Sequence, residues 1–120
     1  MHIRRGLLAL AIISPASFFA PSAGAQAFCQ ALRGGPGSDS CTRELVLTEI
    51  RLREASARLA AVQSAPRPRQ CAAFRQHVRV MRASACIFSR CTTGHHGREN
   101  VAQMNASMAD WQEIIARRCR

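Results

Sequence analysis

The chain has 120 residues, of which 17 are basic and seven are acidic, and its formal net charge at pH 7 is +10. Every basic residue is an arginine, a side chain better suited than lysine to bidentate contacts with phosphate or carboxylate. The length allows a single domain, and the absence of a second long apolar segment excludes a protein with several membrane spans.

The N-terminus has the pattern of a secretory signal peptide over residues 1–25. Arg4 and Arg5 precede an apolar run over residues 7–20, and small residues at 23–25 are typical of a cleavage site. The apolar run of about 14 residues is shorter than the roughly 20 residues that span a bilayer. We therefore predict a periplasmic or secreted product with no transmembrane segment after cleavage of the signal.

A leader over residues 26–40 and a first helix follow. The leader contains Gly34, Gly35 and Gly37, a composition that predicts a flexible segment. Ser40 is the predicted N-cap of a helix over residues 42–62. Leucines recur at intervals of seven in this helix, with small or apolar residues at the intervening positions, which indicates an amphipathic helix.

Two further helices are predicted downstream. Pro66 and Pro68 end the first helix, because proline lacks an amide donor and disfavours helix in the residue before it. The second helix is predicted over residues 70–90 and the third over residues 98–117, with a polar loop between them. Their apolar stripes are Phe74, Val78, Met81, Ala85 and Phe88 in the second helix, and Val101, Met104, Met108, Trp111 and Ile115 in the third.

These elements predict an all-α, disulfide-stapled, antiparallel three-helix bundle over residues 41–120. Six cysteines after an export signal predict three disulfides, and none of them forms a C-x-x-C pair. In an up-down-up bundle the start of the second helix lies beside the end of the third, which predicts a bond between Cys71 and Cys119. The other four cysteines belong at the opposite end. Cys29 and Cys41 each bond one of Cys86 and Cys91, and the sequence leaves open which bonds which.

The cysteine pattern resembles that of small exported cysteine-rich helical proteins of alpha-proteobacteria. The resemblance rests on the signal peptide, a cysteine before the first helix, the sequence Gln70-Cys71-Ala72-Ala73-Phe74 opening the second helix, a cysteine closing that helix and Cys119 near the end. Relative to the usual four cysteines, Cys29 and one of Cys86 and Cys91 are additions. The resemblance implies a helical fold and assigns no activity.

Residues 66–90 carry six arginines and no acidic residue. Three of them follow the spacing of one helical face, which we call the arginine ridge, and we predict that it binds an anionic component of the cell envelope or an acidic protein. Nucleic acid is disfavoured because no stacking aromatic residues accompany the arginines. A solvated arginine face that reflects GC-rich coding is the alternative. The ridge consists of Arg75, Arg79 and Arg82, and Arg67, Arg69 and Arg90 lie near its ends.

The alternative function is binding of a soft metal ion such as Cu(I) in the periplasm. Imidazole and thioether donors suit that ion, and the candidate ligands are His95, His96, Met104 and Met108. The two methionines also fit the apolar stripe of the third helix, and disulfide-bonded cysteines supply no thiolate. Core packing therefore competes with this interpretation, and the sequence predicts no cofactor.

No catalytic arrangement is recognisable in the sequence. His77 is expected on the flank of the second helix, and Asp110 and Glu113 lie on the third, so no Ser-His-Asp group or carboxylate pair has a spacing that predicts convergence. We therefore expect a binding or structural protein rather than an enzyme.

Overall fold

The fold consists of three α-helices connected by short turns. The computed structural model describes Cys29 and residues 31–120, so the predicted signal peptide and the first residues of the leader lie outside the described part. The helices are α1 (Asp39–Ala61), α2 (Arg67–Cys91) and α3 (Gly94–Arg118), and no strand occurs in the described ranges. The prediction of an all-α, disulfide-stapled bundle is confirmed.

All three helices begin earlier than the sequence predicts. The N-cap of α1 is Ser38, whose Oγ accepts a hydrogen bond from the backbone N–H of Cys41 at 3.2 Å, rather than Ser40. The start of α2 includes Pro68, which the first helical turn tolerates because the N–H that proline lacks would have no helical partner there. α3 begins at Gly94, whose φ of 74° provides the sharp turn that follows α2. The predicted loop therefore shrinks to Thr92 and Thr93.

Three disulfides tie the helices and the leader together, and the described part of the chain contains no free cysteine. One joins the start of α1 to the end of α2, and another joins the start of α2 to the end of α3, so neighbouring helices are antiparallel. Stable disulfides indicate an oxidising, non-cytoplasmic compartment. The bonds are Cys29–Cys86, Cys41–Cys91 and the predicted Cys71–Cys119, with Cα–Cα distances of 6.0, 5.2 and 5.7 Å.

The described part of the leader contacts the bundle through Cys29 and Leu32. Arg90 donates from Nη1 to the carbonyl oxygen of Cys29 at 2.7 Å and from Nη2 to that of Leu32 at 3.0 Å. Leu32 also packs against the buried cluster that includes Ile87. A disulfide, two charge-assisted hydrogen bonds and a packed leucine therefore connect the leader to the bundle.

Helix α2 is the centre of the bundle. It buries nine residues, whereas Gly97 is the one buried residue of α3. The predicted apolar stripe of α3 is half-buried along its whole length. α1 and α3 both pack on α2, but no Cα atom of α1 lies within 8 Å of a Cα atom of α3. A groove therefore runs between α1 and α3, with α2 as its floor.

None of these three helices combines the length and the apolar character that crossing a bilayer requires.

Candidate anion-binding site

One end of the bundle concentrates positive charge. The bond between Cys71 and Cys119 holds the first turns of α2 beside the last turn of α3, and both segments are rich in arginine. Glu113 is the one acidic residue in these two segments, residues 66–75 and 113–120. We call this surface the basic pole, and its members are Arg67, Arg69, Arg75, Arg117, Arg118 and Arg120.

The centre of the basic pole is a shallow cavity of about 240 Å³ beside the disulfide. Arg67, Arg75 and Arg120 line it. Arg75 donates from Nη2 to the carbonyl oxygen of Cys119 at 3.2 Å, and Arg120 donates from Nε to that of Ala116 at 3.0 Å. Each guanidinium has five N–H donors, so both retain further donors after these bonds are made. The cavity therefore offers an anion charged donors from α2 and from the residue that follows the Cys71–Cys119 bond.

The charge of the basic pole is poorly compensated. Arg67 and Arg69 lie in the first turn of α2, which has no acidic residue, so they add to the positive end of the helix dipole instead of complementing it. Arg117 is ion-paired with Glu113 at 3.4 Å. By contrast, α1 pairs three arginines with three glutamates: Arg51 with Glu44, Arg53 with Glu49 and Arg58 with Glu54.

The six candidate arginines have different neighbours in the structure. Arg75 turns toward the basic pole, whereas Arg79 donates to the side chain of Gln76 at 3.1 and 2.6 Å. Arg82 is half-buried, and Arg90 binds carbonyl oxygens of the leader. Of the six candidate arginines, the structure therefore brings Arg67 and Arg75 together around the cavity, with Arg69 exposed in the same first turn of α2.

Sequence reasoning missed the contribution of α3 to the site. The C-terminal arginines lie far from the second helix in sequence: Arg117, Arg118 and Arg120. The predicted bond between Cys71 and Cys119 was the signal that could have identified them. The bond between Cys71 and Cys119 brings the C-terminal residues to the start of α2, where Arg120 lines the same cavity as Arg67.

The predicted ligands for a soft metal ion do not come together. His95 and His96 lie in the first turn of α3, where Glu99 is 2.8 Å from Nε2 of the first and 3.6 Å from Nδ1 of the second. Met104 lies eight residues beyond His96, which is about 12 Å along a helix. Among the described residues, no group of three or more His, Cys, Asp and Glu side chains is placed to hold a metal ion. The geometry therefore gives this alternative no support.

His77 is buried in the core and not on the flank of α2. It is 8% exposed, and its ring centroid is 5.3 Å from that of Trp111 in an edge-to-face contact. Its Nδ1 is buried and has no hydrogen-bond partner in the part of the chain that the structure describes. Burial penalises the charged imidazolium, so the pKa of His77 lies below its usual value of 6.5.

The lowered pKa of His77 predicts that the protein loses stability in acid. Below about pH 6.5 the unfolded chain binds a proton that the buried imidazole resists, so the free energy of unfolding falls as the pH falls toward the folded pKa. We expect His77→Leu to reduce the difference in stability between pH 7 and pH 5, measured by urea unfolding at both values. His96→Asn, at a site where the side chain is 96% exposed, serves as the control and should keep the wild-type difference. Equal pH dependence in the wild type and the His77 variant would contradict this assignment.

Comparison of the chain with protein-family models, curated proteins and solved structures gave no match. The resemblance to small exported cysteine-rich helical proteins therefore stays a prediction, and inferences about function depend on the geometry of the site.

Proposed function

We propose that the protein is a small exported binding module of the periplasm, or a secreted one, whose basic pole holds an anionic partner in the cell envelope. The observation that carries the proposal is the concentration of six arginines against one glutamate around the Cys71–Cys119 bond. The module acts by binding and not by catalysis, since its arginines supply charge and hydrogen-bond donors but no nucleophile or general base.

The construction of the pole supports a binding role. The disulfide fixes the two helix ends relative to each other, and backbone carbonyl oxygens hold Arg75 and Arg120 in place. Side chains that are already ordered lose less conformational entropy when a ligand binds. Arg67 and Arg69 are repelled by the positive end of the α2 dipole and make no ion pair in the described structure. An external anion therefore explains their placement better than helix stability does.

The chemistry of the pole favours phosphate or carboxylate groups displayed on a surface. Guanidinium groups bind these anions in a bidentate manner. The neighbouring aromatic residues, Phe74 and Trp111, pack against each other in the groove, with ring centroids 5.2 Å apart, and do not project from the pole. Stacking with nucleobases therefore contributes little there, and anionic lipid headgroups fit the pole better than nucleic acid does.

The test is binding to vesicles of mixed phosphatidylglycerol and phosphatidylcholine, measured by co-sedimentation at low and high sodium chloride. Each arginine near an anionic membrane contributes about 1 kcal/mol, so the triple variant Arg67→Gln, Arg75→Gln, Arg120→Gln should bind roughly a hundredfold more weakly at low salt. Wild-type binding should itself weaken as salt is added, because salt screens exposed charges.

A triple variant in α1 provides a control with the same net charge: Arg51→Gln, Arg53→Gln and Arg58→Gln. These arginines are paired with glutamates and lie outside the pole, so the affinity should change by less than about threefold. An equal loss in both triple variants would mean that net charge alone drives binding and would overturn the proposed site. Circular dichroism on both proteins verifies that the helices are intact.

A further inference from the structure

The groove between α1 and α3 is an apolar surface without a partner in the described structure. It has a volume of about 460 Å³, within the range of about 300–1,000 Å³ typical of small-molecule sites. Phe74 of α2 lies at its floor and is buried, whereas the large apolar side chains of its walls are half-buried. These large side chains are Leu59 of α1, Val62 at its C-cap, and Trp111 and Ile114 of α3.

A charged group lies at one end of this groove. Gln70 donates from Nε2 to the carbonyl oxygen of Gln63 at 2.7 Å, and its Oε1 accepts a hydrogen bond from Nη2 of Arg118 at 3.0 Å. The guanidinium carbon of Arg118 is 5.6 Å from the centroid of the Phe74 ring. These contacts hold Arg118 where the apolar groove meets the basic pole. Its remaining N–H donors face no carboxylate within the described residues.

We infer that the groove binds a single-chain anionic amphiphile, such as a long-chain fatty acid, with its hydrocarbon chain between α1 and α3 and its anionic head at Arg118. This inference rests in part on the proposed function, because the basic pole supplies the surrounding positive potential. Charge argues against a second copy of the chain as the occupant, since pairing two grooves would bring two basic poles into the same interface. An apolar chain with a negative head matches both parts of the site.

Trp111 is the sole tryptophan of the chain and lies in the groove, so its fluorescence reports on occupancy directly. The probes are dodecanoate, decanoate and the neutral detergent dodecyl maltoside, each below its micelle concentration. Dodecanoate should shift the emission to shorter wavelength in a saturable manner. Burial of each methylene in a partly open groove should increase affinity by about twofold to fourfold, so dodecanoate should bind about fourfold to sixteenfold more tightly than decanoate.

Two exposed alanines of α1 offer a matched pair of variants. Ala60 lines the groove, whereas Ala57 is exposed and does not line it. Ala60→Phe should fill the groove and weaken dodecanoate binding by at least about tenfold, and Ala57→Phe should leave it unchanged. Arg118→Gln should weaken dodecanoate by about tenfold while leaving the weaker binding of dodecyl maltoside unchanged.

The outcomes separate this inference from the proposed function. If dodecanoate gives no saturable shift in emission, or if Ala60→Phe does not weaken dodecanoate binding, the groove assignment is overturned. Vesicle binding through the basic pole is tested separately, by the arginine variants. Equal affinity for dodecyl maltoside and dodecanoate would show that the anionic head does not contribute to binding and would overturn the role assigned to Arg118. A dimer in sedimentation equilibrium that Ala60→Phe converts to a monomer would assign the groove to a second copy and overturn the inference.

Discussion

Replacing Cys71 and Cys119 together with alanine is expected to lower the free energy of unfolding by about 4 kcal/mol. The bond joins residues 48 apart in sequence, and in the chain-entropy model the closure of a loop of that length accounts for a loss of about this size. The same substitution releases the end of α3 from the start of α2, which is the contact that assembles the basic pole. We therefore expect weaker binding to anionic vesicles as well, under conditions where the variant remains folded.

A second disulfide provides the control for this result. Cys41 and Cys91 are 50 residues apart, so removing their bond should cost a similar loop-closure entropy. That bond lies at the opposite end of the bundle, in the buried cluster with Ile87. Urea unfolding should therefore show a comparable or larger loss of stability, whereas vesicle affinity should fall only for the Cys71 and Cys119 variant. If the Cys71 and Cys119 variant lost less than about 1 kcal/mol of unfolding free energy, the stabilising role assigned to this bond would be contradicted.

Replacing Ile87 with alanine is expected to destabilise the fold by about 3 kcal/mol, within the range of about 2–5 kcal/mol for such core truncations. Ile87 is 1% exposed and belongs to the cluster in which α1, α2 and the leader meet. Alanine would leave a cavity that two disulfides prevent the surrounding chain from closing. The measurement is the urea midpoint and slope for each protein.

The control for this substitution is Ile50→Ala on α1. Ile50 is 44% exposed, so the same chemical change at that position should cost less than about 1 kcal/mol. If the two isoleucine variants lost equal stability, the cluster at Ile87 would not be the core of the bundle.

Helix number, helix order and one disulfide were predictable from the sequence for identifiable physical reasons. Apolar residues at steps of three and four specify helices, and short connections specify antiparallel neighbours. The Cys71–Cys119 bond follows from that topology. The partners of Cys29 and Cys41 did not follow, because Cys86 and Cys91 lie at the same end of α2 and both are within reach of the first helix and the leader.

Other features depend on interactions that periodicity does not encode. Arg90 donates hydrogen bonds to carbonyl oxygens of the leader, a contact that no local sequence pattern predicts. Periodicity identifies the apolar face of α3 but not the distance between α1 and α3, so the half-exposed state of Trp111 was not foreseen. His77 is buried because it lies one turn from Phe74 and Met81 and is covered by Trp111.

The candidate site was predictable in part. The arginines of α2 were recognised from a run without acidic residues, and Arg67 and Arg75 do lie together around the cavity. Predicting the C-terminal arginines of the site would have required combining the predicted Cys71–Cys119 bond with the arginines around Cys119. Arg79 and Arg82 share the spacing of Arg75 but lie further along α2 and do not line the cavity.

The most direct measurement of the central claim is the ratio of vesicle affinities between the two triple variants of equal net charge. If the basic pole is the binding surface, the Arg51, Arg53 and Arg58 variant should bind at least about tenfold more tightly than the Arg67, Arg75 and Arg120 variant at low salt. A ratio near one would show that the position of the arginines is irrelevant and would contradict the account.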